Sequence, residues 1–451
     1  MSPEADAVLA ELLPYPEDGS RADGPVAVDA TDRLLLDEAA PLIERDPDGV
    51  VVLGDRFGAL TLGALALGAR HVDGYQDAIT AEAALSANSA RASRTLWAAH
   101  RHLAENAPVP YEPAPIGITG HDELGPKLFA GARLVLLQLP TSLAELTEIT
   151  EYVARHADPA VTLLAGGRVK HMTLAMNDVL RASFGQVRAS RARQKSRLLI
   201  AREPRSDVGP PTYPVTARLT EREIVDAIGA PEAAPAAAPA AAPDAGLTVV
   251  AHGAAFAGAT LDLGTRFLLA QAHRWPDLSG AEPLPTTPAY APDYADGRPI
   301  AIDLGCGTGI LATVLALRFP GAHVIATDRS TAACASTSAT LAANGVQAAV
   351  VRGDAGDLLP VPDGWADLVL LNPPFHDRTA LSTDAAHRMF AAAGSILRDG
   401  GELWTVFNTG LHYRGALQRA VGPTEHVAQN PKFTVTRSVR KVLTEESVAG
   451  G

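Results

Sequence analysis

The residues of this chain best suited to chemistry stand at the ends of four consecutive apolar runs in its second half. The first run, GRPIAIDLGCGTG, closes in Asp303-Leu-Gly-Cys-Gly-Thr-Gly309. Glycines such as Gly305, Gly307 and Gly309 let a backbone approach a ligand closely and take positive φ, and the first amides of a following helix favour negative groups. A dinucleotide fingerprint would place its third glycine at 310, where Ile310 stands, so a nicotinamide dinucleotide is disfavoured. Asp328 closes the second run, roughly twenty residues further on, where an acid can accept hydrogen bonds from both hydroxyls of a ribose. Asp354 closes the third, placed to accept from an adenine amino group, and the fourth ends in Asn372-Pro373-Pro374-Phe375. A lone Asp after a strand is also a common helix N-cap, and that reading stands beside the ligand-binding one for Asp328 and Asp354.

Positioning these ends requires strands that alternate with helices. LATVLALRFPG, the alanine-rich stretch ending at Asn344 and the stretch around His387 to Leu397 carry helical spacing, and GGELWTVFN reads as a further strand. Continuous apolar strands alternating with helices specify an α/β fold with a doubly wound, mainly parallel sheet, whose ligands bind outside the carboxyl ends of the strands. The first half repeats the plan. GVVVLGDRFGAL lies over AIDLGCGTGIL, matching Leu53, Gly54, Gly58 and Leu60 with Leu304, Gly305, Gly309 and Leu311. ARLVLLQLPT lies over ADLVLLNPPF, with Gln138 opposite Asn372 and Pro140 opposite Pro374, as an ancient duplication would leave them. Between the halves, GAPEAAPAAAPAAAPDAG carries prolines at 231, 235, 239 and 243, which remove helix donors and predict an extended, semi-rigid spacer. The expected division is a first domain over 1–205, a connector over 206–246 and a second domain over 247–451.

Composition sets outer bounds. At roughly 150 residues per domain, 451 residues specify two or three domains. A net charge of −13 excludes a generally polybasic nucleic-acid binder, so any contact with phosphates must come from a local basic face. Two cysteines, Cys306 and Cys334, exclude a disulfide scaffold and a four-cysteine zinc site, and no metal ligands are expected. The start, MSPEADAVLAELLPYPEDG, lacks the basic and apolar regions of a signal peptide. Gly58 to Ala69 is the longest apolar-rich stretch and falls short of the ~20 residues of a membrane span. The expectation is a soluble, cytoplasmic protein.

Taken together, D-L-G-C-G-T-G, the strand-terminal acid and N-P-P-F resemble class I S-adenosylmethionine methyltransferases. More narrowly, the chain is similar to ribosomal RNA guanine-N2 methyltransferases of the RsmC and RlmG kind. GAAFAGATLDLGTRFLL, LNPPFHD, LWTVFNTGLHYRGAL and NPKFTV carry that likeness. It covers nearly the whole chain, because those proteins also have an N-terminal degenerate copy of the methyltransferase fold. The alanine/proline tract is an insertion in that pattern. The resemblance implies two tandem Rossmann-like methyltransferase domains, the first degenerate, with ribosomal RNA or a ribosomal subunit as partner. It implies S-adenosylmethionine as cofactor, held by Asp303, Gly305, Gly307, Gly309, Asp328, Asp354 and Asn372. Asp262 and Thr265 in LDLGTRFLL would order a lid on the cofactor side.

The chemistry implied at Asn-Pro-Pro-Phe is methylation of an amine. An exocyclic amine of a nucleobase is a poor nucleophile because its lone pair is delocalised into the ring. Acceptors for its two N–H groups, the Asn372 side-chain carbonyl and the Pro373 backbone carbonyl, would aim that lone pair at the methyl donor. Pro373 and Pro374 would restrict the orientation of these acceptors. Phe375 would stack on the base, and the base must leave its stack or lie in a single strand to reach it. His376 is either a proton relay or a surface histidine. The motif also serves adenine-N6 and protein glutamine-N5 methylation, so a glutamine methyltransferase acting on a translation factor remains a reading, as does a non-catalytic RNA-binding assembly factor.

The first half lacks this chemistry. Val52 stands for Asp303, Asp55-Arg56-Phe57 for Cys306-Gly307-Thr308, and Gln138-Leu139-Pro140-Thr141 for Asn-Pro-Pro-Phe. Arg56 and Phe57 would crowd a cofactor where glycine leaves room, and Gln76 or its neighbour Asp77 falls at the ribose-acid position. This half does carry a basic stretch: Arg181 to Arg205 holds eight Arg or Lys and one acid, Glu203, with Arg168, Lys170 and His171 just upstream. Arg188, Arg191, Arg193, Lys195 and Arg197 are candidate contacts to RNA phosphates; a solvated face without a ligand is the alternative. The family strand commonly ends in Leu-Pro-Lys, whereas Thr141 takes the lysine position here. Near the C-terminus, FTVTRSVRKV reads as an edge strand with exposed charges.

Overall fold

Helix and strand periodicities resolve into two units, Met1–Tyr213 and Pro214–Gly451. The computed structural model describes residues 2–14, 25–106, 117–229, 246–278, 296–355, 362–374 and 380–441. The first unit runs α1 (Pro3–Ala10), α2 (Ala30–Arg45), β1 (Val50–Leu53), α3 (Ala59–Ala66), β2 (His71–Tyr75) and α4 (Ile79–Glu105). It continues through β3 (Gly117–His121), α5 (Pro126–Phe129), β4 (Leu134–Gln138), α6 (Leu143–His156) and β5 (Thr162–Arg168). It closes with α7 (Leu174–Ser183), β6 (Phe184–Ala189) and β7 (Ser196–Pro204).

The second unit opens with β8 (Val215–Leu219), α8 (Arg222–Ile228), β9 (Leu247–Ala251) and α9 (Leu263–Leu269). There follow β10 (Ile300–Leu304), α10 (Ile310–Arg318), β11 (His323–Asp328), α11 (Thr331–Ala343) and β12 (Ala349–Arg352). The remaining elements are β13 (Ala366–Leu371), α12 (Ala380–Ile396), β14 (Leu397–Asn408), α13 (Arg414–Ala420), β15 (Thr424–Gln429) and β16 (Phe433–Val439).

Both main sheets have seven strands in the same order. The first is β3-β2-β1-β4-β5-β7-β6 and the second β12-β11-β10-β13-β14-β16-β15. In each, the first five strands are parallel, and the sixth in the order runs antiparallel to both of its neighbours. The central strands are buried on both faces, which is why they read as unbroken apolar runs. Alternate residues serve opposite cores: Ala301, Leu368 and Leu370 pack on one side of the second sheet, Ile302, Val369 and Leu371 on the other. Val52 and Leu136 are divided from Val51 and Leu137 in the same way in the first sheet. The tandem α/β architecture and the duplication are therefore those expected from the sequence.

The duplication extends to backbone conformation. Gly58 begins α3 with φ +87° and Gly309 begins α10 with φ +78°, both left-handed. A Cβ on Gly58 would lie 2.9 Å from the Leu85 side chain of α4, and one on Gly309 would lie 2.9 Å from the Thr337 Cα of α11. Each glycine thus turns the chain sharply into its helix and lets the next helix pack against the turn.

Two local readings change. FTVTRSVRKV forms β16, which lies between β14 and β15 rather than at the sheet edge. Its Arg437 pairs with Glu402 of β14 and Glu425 of β15, so the charge is spent inside the ladder. Part of the 206–246 stretch is folded: β8 pairs antiparallel with β9 inside the second unit. The alanine/proline tract itself lies outside the described residues. The free side of β9 is closed by α11, whose Ser336, Thr340 and Asn344 recur every fourth residue. Their side chains accept from the amides of His252, Val250 and Thr248 at 2.9–3.0 Å. This polar stripe on an alanine-rich helix anchors the ribbon that leads into α9.

Substituting Gly309→Ala should destabilise the second unit by about 2–5 kcal/mol, combining left-handed strain with a clash against backbone. Urea unfolding of the full chain, followed by tryptophan fluorescence, would measure it.

Candidate active site

The carboxyl ends of β10, β11, β12 and β13 open into one pocket. Its lining includes Gly305, Gly307, Asp328, Asp354, Asn372, Pro373 and Pro374, so most of the residues singled out by motif and spacing do come together. Phe375, and His376 after it, lie outside the described residues. Asp303 and Gly309 stand behind the loop instead of on its lining.

Asp303 is almost fully buried, and its Oδ2 accepts from the Ala312 N–H of α10 at 2.9 Å. Burial pushes its carboxyl up to about 7; the Ala312 N–H pulls it down and the charge of Asp328 pushes it up by lesser amounts. The loop beyond it is tied to β11, with Gly305 and Cys306 amides donating to the Thr327 carbonyl at 2.8 and 3.0 Å. Cys306 is buried; contact with the Cys334 thiol, then burial, push its own thiol well up. Asp328 holds the loop from the other side: Oδ2 accepts from the Gly307 N–H at 3.1 Å and Oδ1 from the Ser330 N–H at 3.0 Å. The N-cap of α11 is Ser330, not Asp328. Gly307 has φ +55° and nothing within 4 Å of a built Cβ, so its freedom faces the pocket.

Asn372 is held at the end of β13 by the first turn of α9. Its Nδ2 donates to Asp262 Oδ2 at 3.1 Å and to Thr265 Oγ1 at 2.9 Å. Its Oδ1 is buried without a partner among the described residues. Pro373 is buried and Pro374 exposed. Three contributors escaped the sequence reading. Phe256, in the loop between β9 and α9, lines the pocket while 47% exposed, an unusual state for a phenylalanine. Arg388 and Met389 approach from α12. Asp262 and Thr265, the residues expected to order a lid, are these partners of Asn372; LDLGTRFLL repeats VDATDRLLL of the first half, so that Asp29 and Asp32 match Asp262 and Thr265.

Strand registers give the counterparts in the first unit. Leu53 pairs with Tyr75 as Leu304 pairs with Thr327, so Gln76, not Asp77, stands for Asp328. The same registers place Gln138 opposite Asn372 and leave Leu124 where the second unit has Asp354. Asp55 turns back to accept from the Leu60 and Thr61 amides of α3 at 3.2 and 2.8 Å. It is buried, and that burial raises its pKa. Arg56 lies over the Phe57 ring at 4.9 Å.

The five candidate RNA contacts of the first unit gather on the β6–β7 hairpin. Arg188, Arg191, Arg193 and Lys195 are exposed and Arg197 is half-buried. Arg193 pairs with Asp37, which makes it the least available of the five. The turn carrying Arg168, Lys170 and His171 lies against this hairpin, with the Val169 N–H donating to the Lys195 carbonyl at 2.9 Å. Two basic stretches separated in sequence therefore form one exposed face. Among the described residues, no group of three or more His, Cys, Asp or Glu is arranged to hold a metal ion. No helix among them is long and apolar enough to cross a membrane.

Comparison with known proteins adds a second line of observation. Residues 292–437 match the methyltransferase small domain, and residues 9–115 and 119–205 match the RLMG N-terminal domain. The chain is 32% identical over 432 residues to the ribosomal RNA large subunit methyltransferase G of Streptomyces avermitilis, covering 95% of this chain and 97% of that one. The protein of the same name from Pseudomonas aeruginosa is 32% identical over 418 residues, covering 91% and 93%. Among solved structures, the T. thermophilus 16S rRNA N2 G1207 methyltransferase RsmC, in complex with AdoMet and guanosine, superposes with a TM-score of 0.63. That pair covers 96% of this chain and 99% of the other at 19% identity, a likeness of fold.

Two measurements check the site. Gly307→Ala meets no atom within 4 Å, so it should cost only about 1–2 kcal/mol of stability through its positive φ. Its methyl group would enter the pocket, so calorimetric affinity for S-adenosylmethionine should fall by about tenfold or more, roughly 1.4 kcal/mol. For Asp303, the native carboxyl keeps its proton up to about pH 7 whereas the ordinary value is 3.8, so native protein binds the extra proton between those limits. Wild-type stability is therefore lost as pH rises through that window. Asp303→Asn should gain about 2 kcal/mol relative to wild type between pH 5 and pH 8, read from paired denaturant melts.

Proposed function

The chain belongs to the family of ribosomal RNA large subunit methyltransferases G, and from that premise we propose that it methylates N2 of a guanine in large-subunit ribosomal RNA. The coarser statement follows from the family: it is an S-adenosylmethionine-dependent ribosomal RNA methyltransferase. The base, guanine in the large subunit, is taken from the names of the relatives and of the superposed guanosine complex, and the amine rests on a single observation of this chain. Both donors of the Asn372 amide group are engaged by Asp262 and Thr265, which leaves Oδ1 as an acceptor still to be satisfied.

The pocket residues fit the cofactor. Gly307 leaves open space where any other residue would carry a Cβ, and Asp328 and Asp354 stand at neighbouring strand ends. Gly305 and Gly307 would admit the methionine portion against the loop, Asp328 would accept from the ribose and Asp354 from the adenine amino group. When bound, S-adenosylmethionine supplies a methyl group on a positively charged sulfonium. Asn372 Oδ1 and the Pro373 carbonyl accept the two N–H groups of the target amine and aim its lone pair out of the ring plane. The acceptors are set in place before the base arrives, so their effect is electrostatic and orientational. The proton displaced from the amine passes to water, and no strong general base is called for.

The first unit contributes positioning. The exposed hairpin cations Arg188, Arg191 and Lys195, with Arg197 beside them, suit the phosphates of a folded RNA in a chain of otherwise negative charge. Replacing Arg188, Arg191 and Lys195 together by alanine should raise KM for RNA and flatten its dependence on salt, leaving cofactor affinity unchanged.

The decisive experiment transfers a tritiated methyl group from S-adenosylmethionine to ribosomal RNA from cells lacking this gene, with nucleosides identified by mass spectrometry. Label in N2-methylguanosine of the large-subunit RNA, reduced about 10²–10³-fold by Asn372→Ala, is the expected result. Label confined to protein, or to another nucleoside, would overturn the guanine reading.

A further inference from the structure

We infer that Asp262 and Thr265 are positioning residues for methyl transfer: they dictate which way round the Asn372 amide stands, and so make Oδ1 the atom presented to the substrate amine. The inference deepens the proposed function and rests on it for the identity of that amine.

A carboxylate only accepts hydrogen bonds, whereas an amide has one donating and one accepting end. With Asp262 Oδ2 at 3.1 Å, Asn372 must turn Nδ2 toward it; the reversed amide would set two acceptors against each other. Thr265 Oγ1 takes the second Nδ2 proton at 2.9 Å, so neither donor remains to compete for the site. The carboxylate is itself pinned. The same Oδ2 accepts from the Gly264 and Thr265 amides at 2.9 and 3.1 Å, the N-cap of α9. Gly264 is what lets the amide lie so close, because a Cβ there would stand 3.3 Å from Asn372 Oδ1 and 3.0 Å from Asp262 Oδ2.

The first unit supplies an internal comparison. Gln138 donates Nε2 to Asp32, at the third position of α2, where α9 has Thr265. A tie between this helix and this strand therefore persists where the Asn-Pro-Pro-Phe chemistry is gone, and part of its value is structural. What belongs to the second unit alone is the use of two acceptors, one charged, to consume both amide protons.

Asp262→Asn separates the two roles, because asparagine caps a helix about as well as aspartate but no longer forbids the reversed amide. In the full chain it should keep the melting temperature, and hold the cofactor dissociation constant within about twofold, while kcat falls about 10–100-fold, as with other residues that orient a reacting group. Thr265→Val should lower kcat in the same way and Thr265→Ser restore it. In an Asn372→Ala background, Asp262→Asn should add almost no further loss, since its effect passes through that amide. An unchanged kcat, losses that multiply fully in the double variant, or a loss matched by weaker cofactor binding would each overturn the inference. A readout independent of substrate keeps it separate from the guanine assignment. The Asn372 side-chain amide protons, observed by NMR, should exchange slowly in wild type and rapidly in Asp262→Asn. Slow exchange in both would sink the inference even if N2-methylguanosine forms, and the expected contrast would sustain it even if another amine proves to be the substrate.

Discussion

A helix that begins at the carboxyl end of a buried parallel strand brings with it amides that have no partner inside the helix. Much of this protein's behaviour depends on where the acceptor for those amides comes from. In the second unit it comes from the strand: Asp303, the penultimate residue of β10, reaches past the loop to Ala312 of α10. The loop is then relieved of that duty, and Gly305 and Gly307 face outward. In the first unit the acceptor comes from the loop, where Asp55 folds back on Leu60 and Thr61. The same helix start is thus served from behind an open loop in one unit and by a carboxylate of the loop itself in the other.

The two units are otherwise close copies in their use of backbone. Each has a left-handed glycine before the helix, a partner helix packed on that glycine, and a side-chain amide at the end of the fourth strand tied to the start of the helix that precedes the sheet. These shared features are the ones that hold a sheet and its helices in register. The features that differ, Asp328 against Gln76, Asp354 against Leu124 and Asn372 against Gln138, are those that would touch a ligand.

Much of this was legible in the sequence, because parallel strands buried on both faces leave unmistakable apolar runs and the ligand residues sit at their ends. Asp303 was misjudged in one respect: proximity to a glycine loop cannot distinguish a carboxylate that faces the pocket from one that closes a helix behind it. β16 looked like an edge because TRSVRK alternates charge, yet Arg437 finds Glu402 and Glu425 on both neighbouring strands, and pairing across strands is invisible along one of them. The Asp262–Asn372 tie spans 110 positions and joins a helix cap to a strand end. The sequence singled out Asp262 and Thr265 as residues ordering a lid, but not Asn372 as their partner, because a contact between a helix cap and a distant strand end leaves no periodic trace. The strand β8 was read as connector because five residues with only Leu219 buried, followed by a short helix, carry little apolar signal.

The placement of Asp55 gives the first unit's history a direction. Replacing Asp55 by the cysteine of the second unit's loop would remove the carboxylate that closes α3, and the Leu60 and Thr61 amides would lose their acceptor. Placing an acid at Val52 first would bury a second carboxylate beside Asp55, with only one set of amides to serve both. Each of these two steps, taken alone, is therefore worse than standing still. The turn of this unit acts in that sense as a ratchet, held by the helix that it closes.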